Sequence, residues 1–197
     1  GAYRAVIHPL QSVPSMELGE RNIPGSYFRI DADPEASSVA RELVAALGGV
    51  ELKMPKWGPD KGSAALYHAG AVAVANFFVA LVDFGLRHYQ ALGADREAAL
   101  KAVLPLIKGT LSNIESAGIP GALTGPIMRG DVETVKGHLQ AMAGRTPELL
   151  PLYRELARHT VTVARDKKSI TPQTAGDILQ MMEDQIVILD VKGDFRG

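Results

Sequence analysis

The spacing of apolar residues predicts strands and one helix in the first part of the chain. Short apolar runs at Arg4–Ile7, Ser26–Ile30 and Val50–Met54 are typical of buried strands. Between the second and third runs, Asp33-Pro34 is a helix start signal, apolar residues follow at helical spacing, and Gly48-Gly49 ends the helix. Strand, helix and strand in this order favour a βαβ unit with parallel strands.

From residue 63 onward the pattern is helical. It predicts one long helix over Ser63–Leu92, closed by Gly93, and a second that Asp95 caps and that extends to about Ala117. Pro105 is expected to kink or split the second helix. A loop rich in Gly and Pro follows at 118–130. The last three predicted helices are Val132–Met142, Thr146–Arg165 and Thr171–Leu189, with approximate ends. The change in pattern predicts a boundary at Lys56–Gly62 and two domains, 1–58 and 59–197.

Composition excludes several classes of function. The 197 residues carry a net charge of -1, which gives no electrostatic attraction to nucleic acid. The absence of cysteine excludes disulfides and thiolate chemistry, and with the lack of a signal peptide it favours a cytoplasmic location. The stretch Ala69–Leu86 is almost continuously apolar, but it contains Asn76 and Asp83. We expect it to be a buried helix of a soluble protein, with no membrane partner.

Polar residues directly after the first strand form one candidate site. His8, Gln11 and Ser12 lie in the segment that follows Arg4–Ile7. Ligands of open α/β sheets bind beyond the carboxyl ends of the strands, so these side chains could meet a polar ligand. A turn with a capping serine explains the segment equally well.

Two further polar sets lie on the predicted helices. Tyr67-His68 and Asn76 fall broadly on one side of the long apolar helix, where His68 could act as an acid or base and Asn76 could orient a substrate. Hydrogen bonding within the core is the alternative for both.

The other polar set surrounds the Gly-rich loop. Thr110, Asn113 and Thr124 are polar, and Arg129 could hold a carboxylate through a bidentate contact. The alternative for Arg129 is a surface salt bridge. The five histidines have no convincing metal-ligand spacing, so no metal is expected.

These segments together resemble a known family. His8-Pro9-Leu10-Gln11-Ser12, Tyr67-His68-Ala69-Gly70-Ala71 with Asn76, and Leu123–Ile127 with Arg129-Gly130-Asp131 are similar to Rossmann-like proteins that carry the C-terminal domain of unknown function 2520. The resemblance covers about residues 5–160. It implies an α/β remnant of a Rossmann domain, followed by an all-α domain similar to the C-terminal domains of 6-phosphogluconate dehydrogenase and ketopantoate reductase.

The same resemblance implies a function. We expect part of an oxidoreductase that uses NADP (or NAD) and acts on a small keto or hydroxy acid, with ketopantoate as the nearest substrate type. His8, Gln11 and Ser12 would border the cofactor, and the glycine fingerprint of the Rossmann domain is expected to precede this sequence. The helical domain would form a homodimer. The alternative is a dimeric binding or scaffold protein that keeps the fold without the chemistry.

Overall fold

The computed structural model describes residues 1–55 and 62–183, which form two compact units. The first unit ends at Leu81 and the second begins at Val82. The predicted boundary at Lys56–Gly62 lies almost entirely outside the described residues. The division into domains 1–58 and 59–197 therefore stays a prediction.

A three-stranded sheet and three helices make up most of the first unit. In chain order these elements are β1 (Ala5–Pro9), α1 (Met16–Asn22), β2 (Tyr27–Ala32), α2 (Ser37–Ala46), β3 (Val50–Glu51) and α3 (Gly62–Val74). The strands lie in the order β1-β2-β3, and β2 pairs with β3 in parallel. Because α2 connects these two strands, the predicted βαβ unit is confirmed.

The first strand differs from the expectation of a parallel sheet. It pairs with β2 in the antiparallel direction, and Pro9 lies opposite Phe28. The carboxyl end of β1 therefore lies beside the amino end of β2. The segment after His8 thus follows an antiparallel strand, so the expectation that it follows a strand of a parallel sheet was wrong.

A short helix between β1 and β2 was not predicted. This helix, α1, has seven residues, too few for a periodic apolar pattern to show. Its start is nevertheless marked by Ser15, whose hydroxyl accepts a hydrogen bond from the backbone N–H of Leu18 at 3.2 Å.

The core of the first unit lies between α2 and the sheet. Ala40 and Val44 of α2 pack with Phe28 and Ile30 of β2, and all four are buried. Gly49 allows this close approach, because a Cβ atom at that position would lie 2.3 Å from the ring of Phe28.

The second unit is helical throughout its described length. It contains most of α4 (Asn76–Ala91) and five further helices: α5 (Arg96–Gly121), α6 (Pro126–Arg129), α7 (Val132–Arg145), α8 (Leu150–Asp166) and α9 (Pro172–Glu183). Its main core joins α7, α8 and α9 through Val135, Val161 and Ile178, which are at most 1% exposed. The predicted helices are thus present, although residues 184–189 of the last one lie outside the described part of the chain.

One predicted detail of these helices was wrong. Pro105 does not split α5, which instead leaves helical geometry at Gly118 and Ile119. Gly118 has a φ of 63°, which glycine adopts without strain, so the regular helix ends at Ala117, close to the expected position.

The predicted long helix is present as α3 and α4, which are separated only by Ala75. The backbone N–H of Ala75 still donates to the carbonyl of Ala71 at 3.1 Å. By length and composition the stretch Gly62–Ala91 could cross a membrane, and only 11% of its most apolar part is buried. Within the described residues, other elements do not cover this stretch, so the expected burial of the helix is not found there.

We predict that His88 makes stability fall as the pH drops below about 6.5, its ordinary pKa. The ring packs on Phe84, and neither ring nitrogen has a hydrogen-bond partner among the described residues. Burial therefore lowers the pKa of His88, an effect that the charge of Glu148 opposes in part. A histidine with a lowered pKa stabilises the fold only while neutral, so its contribution is lost on acidification.

Melting temperatures at pH 7.5 and pH 5.0 measure this effect. His88→Leu should reduce the difference between the two values, because it removes the titrating group and keeps the packing volume. His159→Leu, at an exposed position of α8, is the control and should retain the wild-type difference. An unchanged difference in His88→Leu would rule out the role of His88.

Candidate functional site

A buried arginine organises one face of the sheet. Arg29 of β2 is 3% exposed and lies opposite His8 of β1. Its guanidinium donates to the backbone carbonyls of Met54 at 3.2 Å and Pro55 at 2.8 Å. These bonds offset the cost of removing the cation from water and fix the chain that leaves β3.

Three aromatic side chains gather beside this arginine. The ring centroid of His8 lies 5.2 Å from that of Tyr67 and 6.2 Å from that of His68, both residues of α3. Opposite residues of paired strands present their side chains on the same face, so His8 and Arg29 share the face against which these rings lie. We call His8, Tyr67 and His68 the aromatic cluster.

The aromatic cluster contains polar atoms shielded from water. The Nδ1 atom of His8 is buried and has no hydrogen-bond partner among the described residues. Burial raises the pKa of the Tyr67 phenol, whereas the charge of Arg29 acts in the opposite direction. A buried polar atom without a partner is uncommon in proteins and is often found at a functional site.

An open cleft of about 650 Å³ lies next to the aromatic cluster. One face of α3 forms one wall, since its lining residues recur at helical spacing, and the segments after β1 and β3 form the rest. The lining residues are Leu10, Leu52, Met54, Pro55, Ser63, Leu66, Tyr67, Gly70, Ala71 and Val74. The volume is typical of sites for small molecules.

Of the residues predicted to bind a cofactor, only His8 joins the aromatic cluster. The Nε2 atom of Gln11 donates to the carbonyl of Asn22 and to the hydroxyl of Ser26, both at 3.1 Å. Its Oε1 atom accepts from the backbone N–H of Ser12 at 2.9 Å. Gln11 thus stabilises the loop, whereas Ser12 contributes its backbone N–H and the cap of α1 is Ser15. The role of Gln11 and Ser12 in binding stays a prediction.

The two predicted catalytic residues are separated along the helices. His68 contacts His8 and is itself exposed, whereas Asn76 is the exposed first residue of α4. At 1.5 Å per residue they lie about 12 Å apart along the helix direction. They would therefore contact different parts of a ligand.

The predicted substrate-binding residues lie in the second unit. Thr110, Asn113, Thr124 and Arg129 are all exposed. Arg129 is the last residue of α6, close enough to Asp131 for its charge to help lower the pKa of that carboxyl. Their role in binding stays a prediction. Within residues 1–55 and 62–183, no group of three His, Asp or Glu side chains could hold a metal ion.

Sequence reasoning missed Arg29 and gave Tyr67 no role of its own. A signal for the first was available, because a charged residue in the apolar run Ser26–Ile30 is rarely buried without a partner. The contact of Tyr67 with His8 depends on how α3 packs on the sheet, and local spacing does not contain that information.

These features define a protein with a small α/β unit followed by a helical unit and a polar cluster on the sheet. The chain belongs to the family described as Domain of unknown function (DUF2520), whose family model matches residues 26–160. It is also similar to the crystal structure of protein TM1727 from Thermotoga maritima, with 26% identity and a TM-score of 0.67. The match covers 84% of this chain and 63% of the length of that one. No curated protein matches.

We predict that Arg29→Leu lowers the free energy of unfolding by about 2 kcal/mol or more, because two backbone carbonyls lose a charged donor and a buried side chain loses its hydrogen bonds. Chemical denaturation measures this loss. Arg41→Leu is a matched control, since the ion pair of Arg41 with Glu51 at 3.0 Å is largely exposed and should contribute less than about 1 kcal/mol. Equal losses in the two variants would show that Arg29 does not have the structural role assigned to it.

Proposed function

We propose that this chain is part of an NADP-dependent or NAD-dependent oxidoreductase that acts on a small keto or hydroxy acid, with a ketopantoate-like substrate implied by the family resemblance. The observation that supports it best is the contact of His8 with Tyr67 and His68 beside a cleft. Carbonyl reduction needs a proton donor at the substrate oxygen, and imidazole is suited to this near neutral pH.

The described residues fit only part of a dinucleotide cofactor. When bound, the cofactor supplies the hydride. A Rossmann domain holds the pyrophosphate at a Gly-rich turn between a strand and a helix, but here β2 leads to α2 through Asp33–Ala36, which contains no glycine. This chain would therefore contribute the surface near the reactive ring, with His8, Gln11 and Ser12 beside it.

The proposed roles follow the positions of the side chains. His68 is the acid or base, since it is exposed and contacts His8, which lets it exchange protons with solvent. Asn76 orients the substrate further along the helix direction. Arg129 and Thr124 bind the substrate carboxylate, with Thr110 and Asn113 as further polar contacts.

The proposed superfamily and location follow from the same resemblance. The α/β part would be a remnant of a Rossmann domain, and the helical part would have the fold of the C-terminal domain of 6-phosphogluconate dehydrogenase. An enzyme dependent on a dinucleotide cofactor and free of cysteine would act in the cytoplasm.

Oxidation of NADPH by the intact protein with a panel of 2-keto acids tests the function. His68→Ala should lower kcat by about 100-fold or more if His68 transfers the proton. His159→Ala, at an exposed histidine of α8, is the control and should leave kcat unchanged. Binding of a keto acid without turnover in any combination would instead favour the non-catalytic binding protein.

We also propose that the protein is a homodimer. Phe77 and Val79 of α4 are 64% and 69% exposed, and soluble monomers rarely expose an extended apolar surface. A two-fold interface would cover such a surface with itself.

Light scattering at micromolar concentration should give twice the chain mass of 21.0 kDa. Phe77→Glu should shift the protein toward the monomer, because it places a charge in the interface. A folded wild-type species of 21.0 kDa would contradict the dimer.

A further inference from the structure

We propose that the cleft binds an uncharged, apolar portion of the substrate, such as a carbon ring or branched chain beside the reacting carbonyl, and excludes carboxylates. This inference rests on the proposed function, because it names the part of the substrate that the same site takes.

The walls of the cleft are mostly apolar. Six of the ten lining residues are Leu, Met, Pro or Val, and none is Lys, Arg or His. Leu66 and Val74 are 76% and 78% exposed, so a ligand in the cleft would remove apolar surface from water. The hydroxyl oxygen of Tyr67 is buried, so this residue contributes mainly its ring to the lining.

The buried cation Arg29 does not offer its charge to the cleft. Arg29 is adjacent to the cleft, but two of its guanidinium nitrogens donate to the carbonyls of Met54 and Pro55. The positive charge is therefore directed at the backbone behind the cleft wall. A carboxylate in the cleft would lose water without gaining a charged partner among the described lining residues, which is unfavourable. The carboxylate of an acid substrate would instead be bound outside the cleft.

Helix α3 leaves open space at Gly70. A Cβ atom at Gly70 would meet nothing within 4 Å, although glycine weakens a helix. Because Ala71 lies beside it, Gly70 keeps the middle of this wall free of large side chains. The space therefore suits a compact ring or a branched chain.

A matched pair of ligands tests the proposal directly. Cyclohexyl methyl ketone and 4-acetylcyclohexanecarboxylate share the ring and the carbonyl, but the second carries a carboxylate on the ring, which is the portion that would enter the cleft. Their binding to the intact protein is measured by saturation-transfer NMR titration without cofactor. We expect the ketone to bind at least about tenfold more tightly. Equal affinity, tighter binding of the ring carboxylate, or no binding of the ketone would overturn the proposal.

Two variants locate the binding within the cleft. Gly70→Leu fills the open space and should abolish ketone binding, whereas Gly85→Leu, at a helical glycine of α4 that also has open space, should not. Val74→Lys adds a cation to the wall and should reduce the preference for the ketone, measured as the ratio of the two affinities, by about fivefold. Val39→Lys, at an exposed valine of α2 outside the lining, should leave the preference unchanged. Ketone binding that is unchanged in Gly70→Leu would contradict this location.

Other occupants of the cleft give different results. Displacement of the ketone by NADPH would assign the cleft to the cofactor ring, and release of monomer on ketone binding would assign it to a second copy of the chain. Either result would overturn the proposal. Ketone binding without any NADPH-dependent turnover would count against the proposed function and still support the chemistry assigned to the cleft.

Discussion

The contact of Arg29 with the carbonyls of Met54 and Pro55 is the interaction on which the first unit depends most. The core of this unit is small, with four buried apolar side chains between α2 and the sheet. Burial of a guanidinium costs free energy unless its N–H groups are hydrogen-bonded. The backbone around Arg29 must therefore provide acceptors. Arg29 thereby connects β2 to the chain that follows β3, and it positions a charge beside Tyr67.

This constraint determines the chemical character of the neighbouring cleft. The cation points at the backbone, the Tyr67 hydroxyl is buried, and the remaining surface is mostly apolar. Proton transfer would be limited to the side where His8 and His68 meet, and binding of the carbon skeleton to the other side. Separation of these two tasks would let one site select the shape of a substrate on one side and transfer a proton on the other.

Sequence patterns predicted the βαβ unit, the succession of helices and the caps at Asp95 and Asp131, because each depends on residues close in the chain. Asp131, for example, accepts a hydrogen bond from the N–H of Thr134 only three residues away. The predicted cap at Asp33 was wrong, because its side chain accepts from the backbone N–H of Arg4 instead. The direction of β1, the burial of Arg29 and its proximity to Tyr67 could not be predicted, because they depend on long-range packing. The expected burial of α3 is not found among the described residues for a related reason, since an apolar helix does not reveal whether its own chain or another molecule covers it.

The central claim, that ligands bind at the face organised by Arg29, is tested most directly by methyl NMR of the intact protein. Addition of cyclohexyl methyl ketone should shift the methyl resonances of Leu52, Met54 and Leu66, which line the cleft. The resonances of Val161 and Ile178, in the core of the second unit, should not move. Shifts confined to the second unit, with the cleft methyl groups unchanged, would contradict the account.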